Sequence, residues 1–434
     1  MKSQASAPSR TPPRPKSSAP QAKENSPEDL APKPSISAWP NRQLDAGDMV
    51  TAFAIANPGL EELVEDEVRS LWPACEAKTE RGGVTFQVQL GDLQVRLADL
   101  RIATRVLIRV AEFTAKDFPK LHKRTLALAW SQWLASDADI KVKAASQASR
   151  LKIKKRIEDV VSEAITEARG PRPRAAASRL AQIYVRVDQD RVMISADACG
   201  ELMHKRGDRE DVGRAPLRET WAAAVVQRLR GLLSRTANSE WVWIEPMAGT
   251  AVFAREWRAD RPTRDWALGQ VIRVSSKAEG ETASLQAPRS HAQIRSWCFA
   301  DSNPARRKAL SAWLAGESSF SIADSQQELA ASLMAAIGSP EASRDEHRVV
   351  VVNPPWGVRL QSPDAVNTRA RQVAFLEGLE QSFRPAVVAV IFPRTREGLA
   401  GAPAGWRELK PLQFKVGGLP VVARFFEVKA RLPR

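Results

Sequence analysis

Cysteine, histidine and tyrosine are scarce in this 434-residue chain, which holds only 3, 4 and 1 of them. The three cysteines, Cys75, Cys199 and Cys298, lie far apart with no Cys-x-x-Cys pair. That spacing offers no disulfide framework and suits a reducing compartment, so a cytoplasmic location is expected. The histidines are equally scattered, and no metal site is expected. Long apolar runs are missing too. The longest, such as 386–392, have strand length and fall far short of the roughly 20 residues that cross a bilayer. The N-terminus is polar and proline-rich, without the pattern of a secretory leader. Acidic residues complete the shortages: 50 Asp and Glu face 65 Lys and Arg, a net charge of +15. An acidic polymer is the partner such a charge suits, with phosphate contacts supplying affinity.

The chain is long enough for two or three domains. Residues 1–48 hold nine of the 29 prolines and almost no large apolar side chain. Such a segment buries too little surface to offset its chain entropy, so it reads as a disordered tail. It carries seven cations against five acids, only +2 of the total, so the basicity belongs to the folded part. From Val50 the pattern changes. A strand at 50–55, a turn at Asn57-Pro58-Gly59, a helix over 60–72, a strand after Gly82-Gly83, a helix near 93–100 and a strand at 105–112 predict a small α+β unit. A short strand follows at 139–144, then an amphipathic helix over 149–168, and a hairpin of 182–187 and 191–195. That helix opens with Arg150, Lys152, Lys154, Lys155 and Arg156, five cations and no acid in seven residues. A run of cations is usually just a solvated face; this density also suits phosphate contact. From Trp241 onward apolar strands alternate with helices, the rhythm of a doubly wound α/β domain. Its strands are expected at 241–244, 296–300, 319–323, 349–352 and 386–392, with a late pair near 412–416 and 421–428.

The sharpest local feature ends one of those strands. Four valines run into Asn353-Pro354-Pro355-Trp356-Gly357. Ligands collect at the carboxyl ends of buried parallel strands. Two prolines fix the backbone there, so that the Asn353 side-chain oxygen and the Pro354 carbonyl can accept both hydrogens of an exocyclic amine. The nitrogen lone pair is then aimed at an electrophile, which is catalysis by positioning. Trp356 offers a face for an extruded base. About 100 residues earlier, Glu245-Pro246-Met247-Ala248-Gly249-Thr250-Ala251 joins a strand to a helix, the generic nucleotide-cradling arrangement. Asp301 and Asp324 close the next two strands, where an acid can accept from ribose hydroxyls or an adenine amine. Each acid alone is more often a helix cap. Four successive strand ends bearing suitable groups favour a cofactor site.

In their order, Glu-Pro-Met-Ala-Gly-Thr, Phe-Ala-Asp-Ser-Asn and Asn-Pro-Pro-Trp-Gly-Val-Arg resemble the class I RNA methyltransferases that carry a THUMP module, and most of all the bacterial large-subunit rRNA guanine-N2 methyltransferases. His204–Arg209 with Ala215–Thr220, Gly417-Gly418-Leu419-Pro420, Asn57–Leu63 and Gly82–Phe86 are similar to further signatures of that family, so the resemblance covers roughly residues 50–430. It implies a Rossmann-like methyltransferase domain at 221–434, a mostly parallel seven-stranded sheet with a C-terminal antiparallel hairpin. It also implies an α+β ferredoxin-like and THUMP RNA-binding region at 49–200 and a linker at 201–220. By the same resemblance Glu245, Met247 and Gly249 would hold the methionine moiety of S-adenosylmethionine, Asp301 the ribose and Asp324 the adenine. Asn353 and Pro354 would hold a guanine amine beneath Trp356, and the cations at 150–156 would grip structured RNA, rRNA rather than tRNA. Some positions depart from the family. Its Gly-Ser-Gly-Thr is Gly249-Thr250-Ala251-Val252 here, which puts the Ala251 methyl where backbone and cofactor are expected to meet. Glu245 stands for a customary Asp, and Trp356 for Tyr or Phe. Two alternatives stay open: adenine-N6 methylation of RNA or DNA, since the motif orients any exocyclic amine, and a non-catalytic RNA-binding protein with a degenerate cofactor site.

Overall fold

A computed structural model describes residues 37–38, 42–170, 179–205, 217–235, 240–258, 268, 272, 292–337, 347–356, 365–395, 398–428 and 431. Most of the expected tail, and most of the family signature between 204 and 220, lie outside the described residues, as does most of 259–291.

Alternating burial builds the first sheet. Its strands are β1 (Ser37–Ala38), β2 (Met49–Ile55), β3 (Ala77–Glu80), β4 (Gly83–Gln89), β5 (Arg105–Thr114), β6 (Asp139–Gln147), β7 (Leu180–Asp188) and β8 (Arg191–Asp197). Between them run α1 (Glu61–Leu71), α2 (Leu90–Arg96), α3 (Phe118–Leu126), α4 (Trp130–Trp133) and α5 (Lys154–Arg169). The order is β3-β4-β2-β5-β8-β7-β6, with β1 beside β5. Pairing of β5 with β8, Leu107 opposite Asp197 through to Thr114 opposite Arg191, fuses two α+β units into one continuous sheet. The four-residue β3, exposed at three of its positions, is too short and too polar for an alternation signal.

The amphipathic helix starts five residues later than its sequence pattern predicts. Asp190, in the turn between β7 and β8, accepts hydrogen bonds from the Arg150 backbone N–H at 2.8 Å and from the Ser149 hydroxyl at 2.7 Å. Ser146 donates to the Leu151 carbonyl at 2.5 Å. These tertiary bonds hold 149–153 out of the helix, which buries Ile157, Val160, Val161, Ala164 and Ile165.

The second sheet comprises β9 (Glu240–Glu245), β10 (Gln293–Ala300), β11 (Phe320–Ala323), β12 (His347–Val352), β13 (Val387–Pro393), β14 (Trp406–Glu408), β15 (Leu412–Val416) and β16 (Leu419–Val428). Its helices are α6 (Glu219–Leu233), α7 (Val252–Arg258), α8 (Pro304–Trp313), α9 (Gln326–Ile337) and α10 (Arg369–Phe383). The order is β11-β10-β9-β12-β13-β16-β14, with β15 also on β16. Five strands are parallel, and β16 runs antiparallel to β13. Both β14 and β15 line the outer edge of β16. The sheet therefore has seven positions, the last shared by two short strands, and the predicted late pair gains the three-residue β14. Every residue of β13 is buried, as befits a strand covered on both faces. Arg348 is buried as well, and it donates to the carbonyls of Phe383 at 3.2 Å and Leu333 at 3.4 Å.

One apolar core runs through both sheets. Trp221 stacks on Phe414 with centroids 4.2 Å apart, and Gln227 donates to the Leu63 carbonyl at 3.4 Å. Gly59, at φ +91°, packs so closely on β15 that a Cβ would sit 2.5 Å from the Gln413 carbonyl oxygen. Only glycine meets both demands. Arg101, just before β5, forms an ion pair with Glu256 of α7 at 2.6 Å, the two side chains 10% and 2% exposed.

Candidate functional site

Register aligns the carboxyl ends of the parallel strands on one edge. Phe299 lies opposite Glu245, Ala323 opposite Ala300, and Val350 opposite Ile244. Glu245, Asp301, Asp324 and Asn353 therefore close four neighbouring strands in the order the sequence led one to expect. Each does something different there.

The turn after β9 is tethered to β10 by the Ala248 N–H, which donates to the Ala300 carbonyl at 2.9 Å. Gly249 adopts φ +56°, and a Cβ built on it would meet nothing within 4 Å, so the turn opens onto free space. Ala251 is also left-handed, at φ +51°. That conformation costs an alanine about 1–2 kcal/mol. Its methyl does not point where sequence comparison put it, toward a cofactor: Ala251 is 0% exposed and packs in the apolar core. Burial of that methyl offsets the strain, so the substitution leaves the mouth of the turn unobstructed.

Asp301 joins two loops. Its Oδ2 accepts from the Gly249 N–H at 2.9 Å and its Oδ1 from the Asn303 N–H at 2.8 Å. Arg306 lies 3.8 Å from Oδ2. An ionised carboxylate has about four acceptor positions, so capacity for hydroxyl donors remains. Asp324 is exposed at the start of α9, where its N–H donates to Glu328 and the Ser325 hydroxyl accepts from the Glu328 N–H. This reciprocal cap leaves the Asp324 carboxylate at the surface. Met247 is half-buried against the core under the opposite face of the sheet.

Glu245 is 2% exposed and lies beneath the turn rather than in its mouth. Its Oε1 accepts from the Trp243 indole and from the Ala254 N–H, both at 2.8 Å, the latter an otherwise unpaired donor of the first turn of α7. Burial pushes its carboxyl up to about 8, against the lowering effect of those two hydrogen bonds and of Arg255. In the unfolded chain the group ionises near 4.5, so the folded chain keeps a proton the unfolded chain has released. Stability from this group is thus full below the lower value and is lost as pH rises through the upper one. Glu245→Gln keeps the accepting oxygen and cannot ionise. It is expected to unfold at a higher temperature than the parent at pH about 9, with the gap closing below pH about 5; thermal melts showing a pH-independent gap would refute this.

The Asn353-Pro354-Pro355-Trp356 motif leaves β12 at the same edge. Asn353 is half-buried, and among the described residues its Oδ1 is a buried oxygen that accepts no hydrogen bond. Buried polar atoms are usually paired, and this acceptor at the carboxyl end of a parallel strand is placed to receive a donor. Pro354 is buried. The Pro355 carbonyl accepts from the Val366 N–H at 3.0 Å, and the Trp356 indole donates to the Ile391 carbonyl at 3.2 Å. The indole is therefore held as a fixed wall.

Arg150, Lys152, Lys154, Lys155 and Arg156 are all exposed, on the loop before α5 and its first turn. Lys155 pairs with Asp159 at 2.7 Å, and Arg156 lies 5.8 Å from the centre of the Phe118 ring. No acid stands in the first turn of α5, so the cations add to the positive end of the helix. The candidate cofactor and base residues thus share one edge of the second sheet, and the cations lie on α5 and the loop before it, in the unit of the first sheet. Sequence reasoning missed Gln372, Arg101 and Glu256. For Gln372 a signal existed: it is the polar member of the apolar stripe Gln372, Leu376, Leu379 and Phe383.

Family models match two segments: the RlmL ferredoxin-like domain over residues 51–107 and the THUMP domain over 115–197. The chain is similar to the ribosomal RNA large subunit methyltransferase K/L of Syntrophotalea carbinolica, 30% identical over 47% of this chain and 29% of that protein. It is similar also to the putative RNA methyltransferase YpsC of Bacillus subtilis, 31% identical over 48% of this chain and 53% of that one. The matches thus span about half, or less, of these relatives. Among solved structures, SMU.472, a putative methyltransferase complexed with SAH, superposes with a TM-score of 0.64 at 21% identity, covering 87% of this chain and 98% of that one. The likeness establishes a shared fold.

Proposed function

We propose, from a chain that carries an RlmL-type ferredoxin-like domain and a THUMP domain ahead of a sheet with a methyltransferase fold, that this protein methylates RNA at guanine N2, on rRNA rather than tRNA, with S-adenosylmethionine as donor. In this reading residues 49–200 bind RNA, 201–220 link, and 221–434 form the catalytic domain. The buried Oδ1 of Asn353, which has no partner among the described residues, carries the proposal.

The residues present suit the cofactor. The left-handed turn at Gly249 faces open space, the Asp301 carboxylate stands beside it, and Asp324 is exposed at the next strand end. Met247 and Gly249 would border the methionine part, Asp301 the ribose and Asp324 the adenine, while Glu245 acts from beneath by fixing α7. When bound, S-adenosylmethionine supplies an electrophilic methyl group. Asn353 Oδ1 and the Pro354 carbonyl accept the two hydrogens of the guanine amine, and Trp356 bounds the base. With the amine so held, its lone pair would face the methyl group that the cofactor presents, and the amine would give up one proton to water on transfer. Orientation supplies the rate, since no protein base is needed within the step. No cysteine stands at this motif, so no covalent enzyme–base adduct forms.

Nucleoside mass spectrometry of rRNA and tRNA from cells with and without the gene tests this. Loss of 2-methylguanosine from rRNA is expected. Loss of 6-methyladenosine or 5-methylcytosine instead overturns the base assignment, and loss confined to tRNA overturns the RNA class. Calorimetry with S-adenosylmethionine addresses the non-catalytic alternative, which millimolar cofactor without detectable binding would favour. At the cationic loop, replacing Lys152, Lys154 and Lys155 by alanine is expected to flatten the dependence of log K on log salt by about 2, at unchanged cofactor affinity. An unaltered slope would place the phosphate contacts elsewhere.

A further inference from the structure

We propose that Gln372, assisted by Arg371, is the positioning residue that sets the geometry of the amine-holding motif. The inference rests on the reading of Asn353 and Pro354 given above. Gln372 lies in the first turn of α10 and is 0% exposed. Its Nε2 donates to the Val366 carbonyl at 3.3 Å and to the Pro393 carbonyl at 3.1 Å, and its Oε1 accepts from the Ala400 N–H at 3.3 Å. One amide thereby ties three segments: the chain returning after the motif, the end of β13, and the loop before β14. The Arg371 guanidinium donates to the Ala365 carbonyl at 3.1 Å, so consecutive carbonyls are gripped by consecutive side chains.

Two of the three segments that Gln372 holds are the ones the motif leans on. Val366 donates its N–H to the Pro355 carbonyl at 3.0 Å, and Ile391, two residues before Pro393, accepts from Trp356 at 3.2 Å. The ring of Pro355 already fixes φ, so ψ is its one soft backbone torsion. Holding the Pro355 carbonyl sets that torsion, and with it the direction of the adjoining Pro354 carbonyl relative to Trp356. An apolar residue at 372 would complete the stripe of Leu376, Leu379 and Phe383 but would leave two carbonyls and an N–H unpaired. The polar choice fits a demand for placement rather than for core volume.

Gln372→Met, close in volume, and Gln372→Glu, which accepts but cannot donate to two carbonyls when ionised, test the proposal on the full chain. Arg371→Ala, at an exposed position, serves as the variant safest for folding. Single-turnover methyl transfer is expected to fall about tenfold or more in the Gln372 variants and by a smaller factor in Arg371→Ala, because small misplacements of reacting atoms are costly. Cofactor affinity and the KM for RNA should stay within about twofold, since the segments Gln372 ties contain none of the residues assigned to the cofactor or to RNA phosphates. Amide exchange should quicken in peptides covering 365–368 and 398–401 and stay unchanged over 245–254. Parallel loss of cofactor affinity, exchange that quickens everywhere, or an unchanged transfer rate would overturn the positioning role. If the parent protein transfers no methyl group to any RNA, the amine reading itself fails, and the exchange pattern alone then decides whether Gln372 holds this corner. Confined quickening supports the clamp, and its absence ends it.

Discussion

Asn353→Ala is expected to lower methyl transfer to RNA by about 10²–10³-fold, the range seen when one preorganised polar group at a reacting centre is removed. The amine would lose one of its two acceptors, so its lone pair would no longer be held on the line of attack. Cofactor affinity should hold within about twofold, because the residues assigned to it close other strands. Stability should move the opposite way. Oδ1 is buried and unpaired among the described residues, so folding bears its desolvation with no hydrogen bond in return. Removing it relieves about 1 kcal/mol or more. A higher melting temperature in the dead variant would be the signature of a group kept for chemistry at the expense of the fold. Asn353→Asp retains an acceptor oxygen and should keep more activity than the alanine variant. Equal activity of Asn353→Ala and the parent would remove Asn353 from the site.

Arg101→Ala is expected to destabilise the protein by about 3–5 kcal/mol, the usual result of stripping one partner from a buried ion pair. The melting point should fall by roughly 6–20 °C, taking about 2–4 °C per kcal/mol for a large domain. The pair holds the first sheet's Arg101 to Glu256 of α7, and the neighbouring Arg230 donates to the Glu256 carbonyl at 3.2 Å. Burial and the nearby Arg101 lower the Arg230 guanidinium to about 10, with Glu256 and Glu67 pulling it back up. Two guanidiniums therefore share the acids, and deleting Arg101 leaves Glu256 with a weaker partner rather than none, which favours the lower half of that range. Substituting both partners, Arg101→Met with Glu256→Leu, should lie within about 2 kcal/mol of the parent, since a well-packed apolar pair replaces the ions without leaving a bare charge. Denaturant titration of the two singles and the double decides the matter. Single variants that each unfold like the parent would show that the pair contributes nothing. Because α7 starts at the turn proposed to hold the cofactor, the single variants should also weaken cofactor binding, and the double variant should restore most of it.

Much of the second sheet was legible. Runs such as Val349 to Val352 and Val387 to Phe392 are too apolar and too short for anything but buried parallel strands, and helices alternate with them. The candidate site was legible for the same reason: Asp301 and Asn353 each stand directly after such a run, and Asp324 after the shorter, less buried β11. Less legible were the features that depend on distant partners. The helix at 149–168 has uniform amphipathic spacing, yet Asp190 draws its first residues into a loop. β14 has three residues, below any periodicity. Glu245 was assigned to the cofactor and instead bonds Trp243 and Ala254 beneath the turn.

By itself the sequence determined the charge, the rhythm of strands and helices, and the placing of an amide, two prolines and an indole at a strand end. These are local properties, because a run of side chains decides which face of an element seeks the core and where that element must stop. Only the tertiary structure decided which way each group at the sheet edge turns. It made the Ala251 methyl a core contact, made Glu245 a support for α7, and left Asn353 Oδ1 a buried acceptor with no donor among the described residues. It also brought Arg101 to Glu256 across 155 residues, and Gln372 to three separate segments. Such pairings are fixed by the packing of whole elements on one another, and no window of neighbouring residues contains that information.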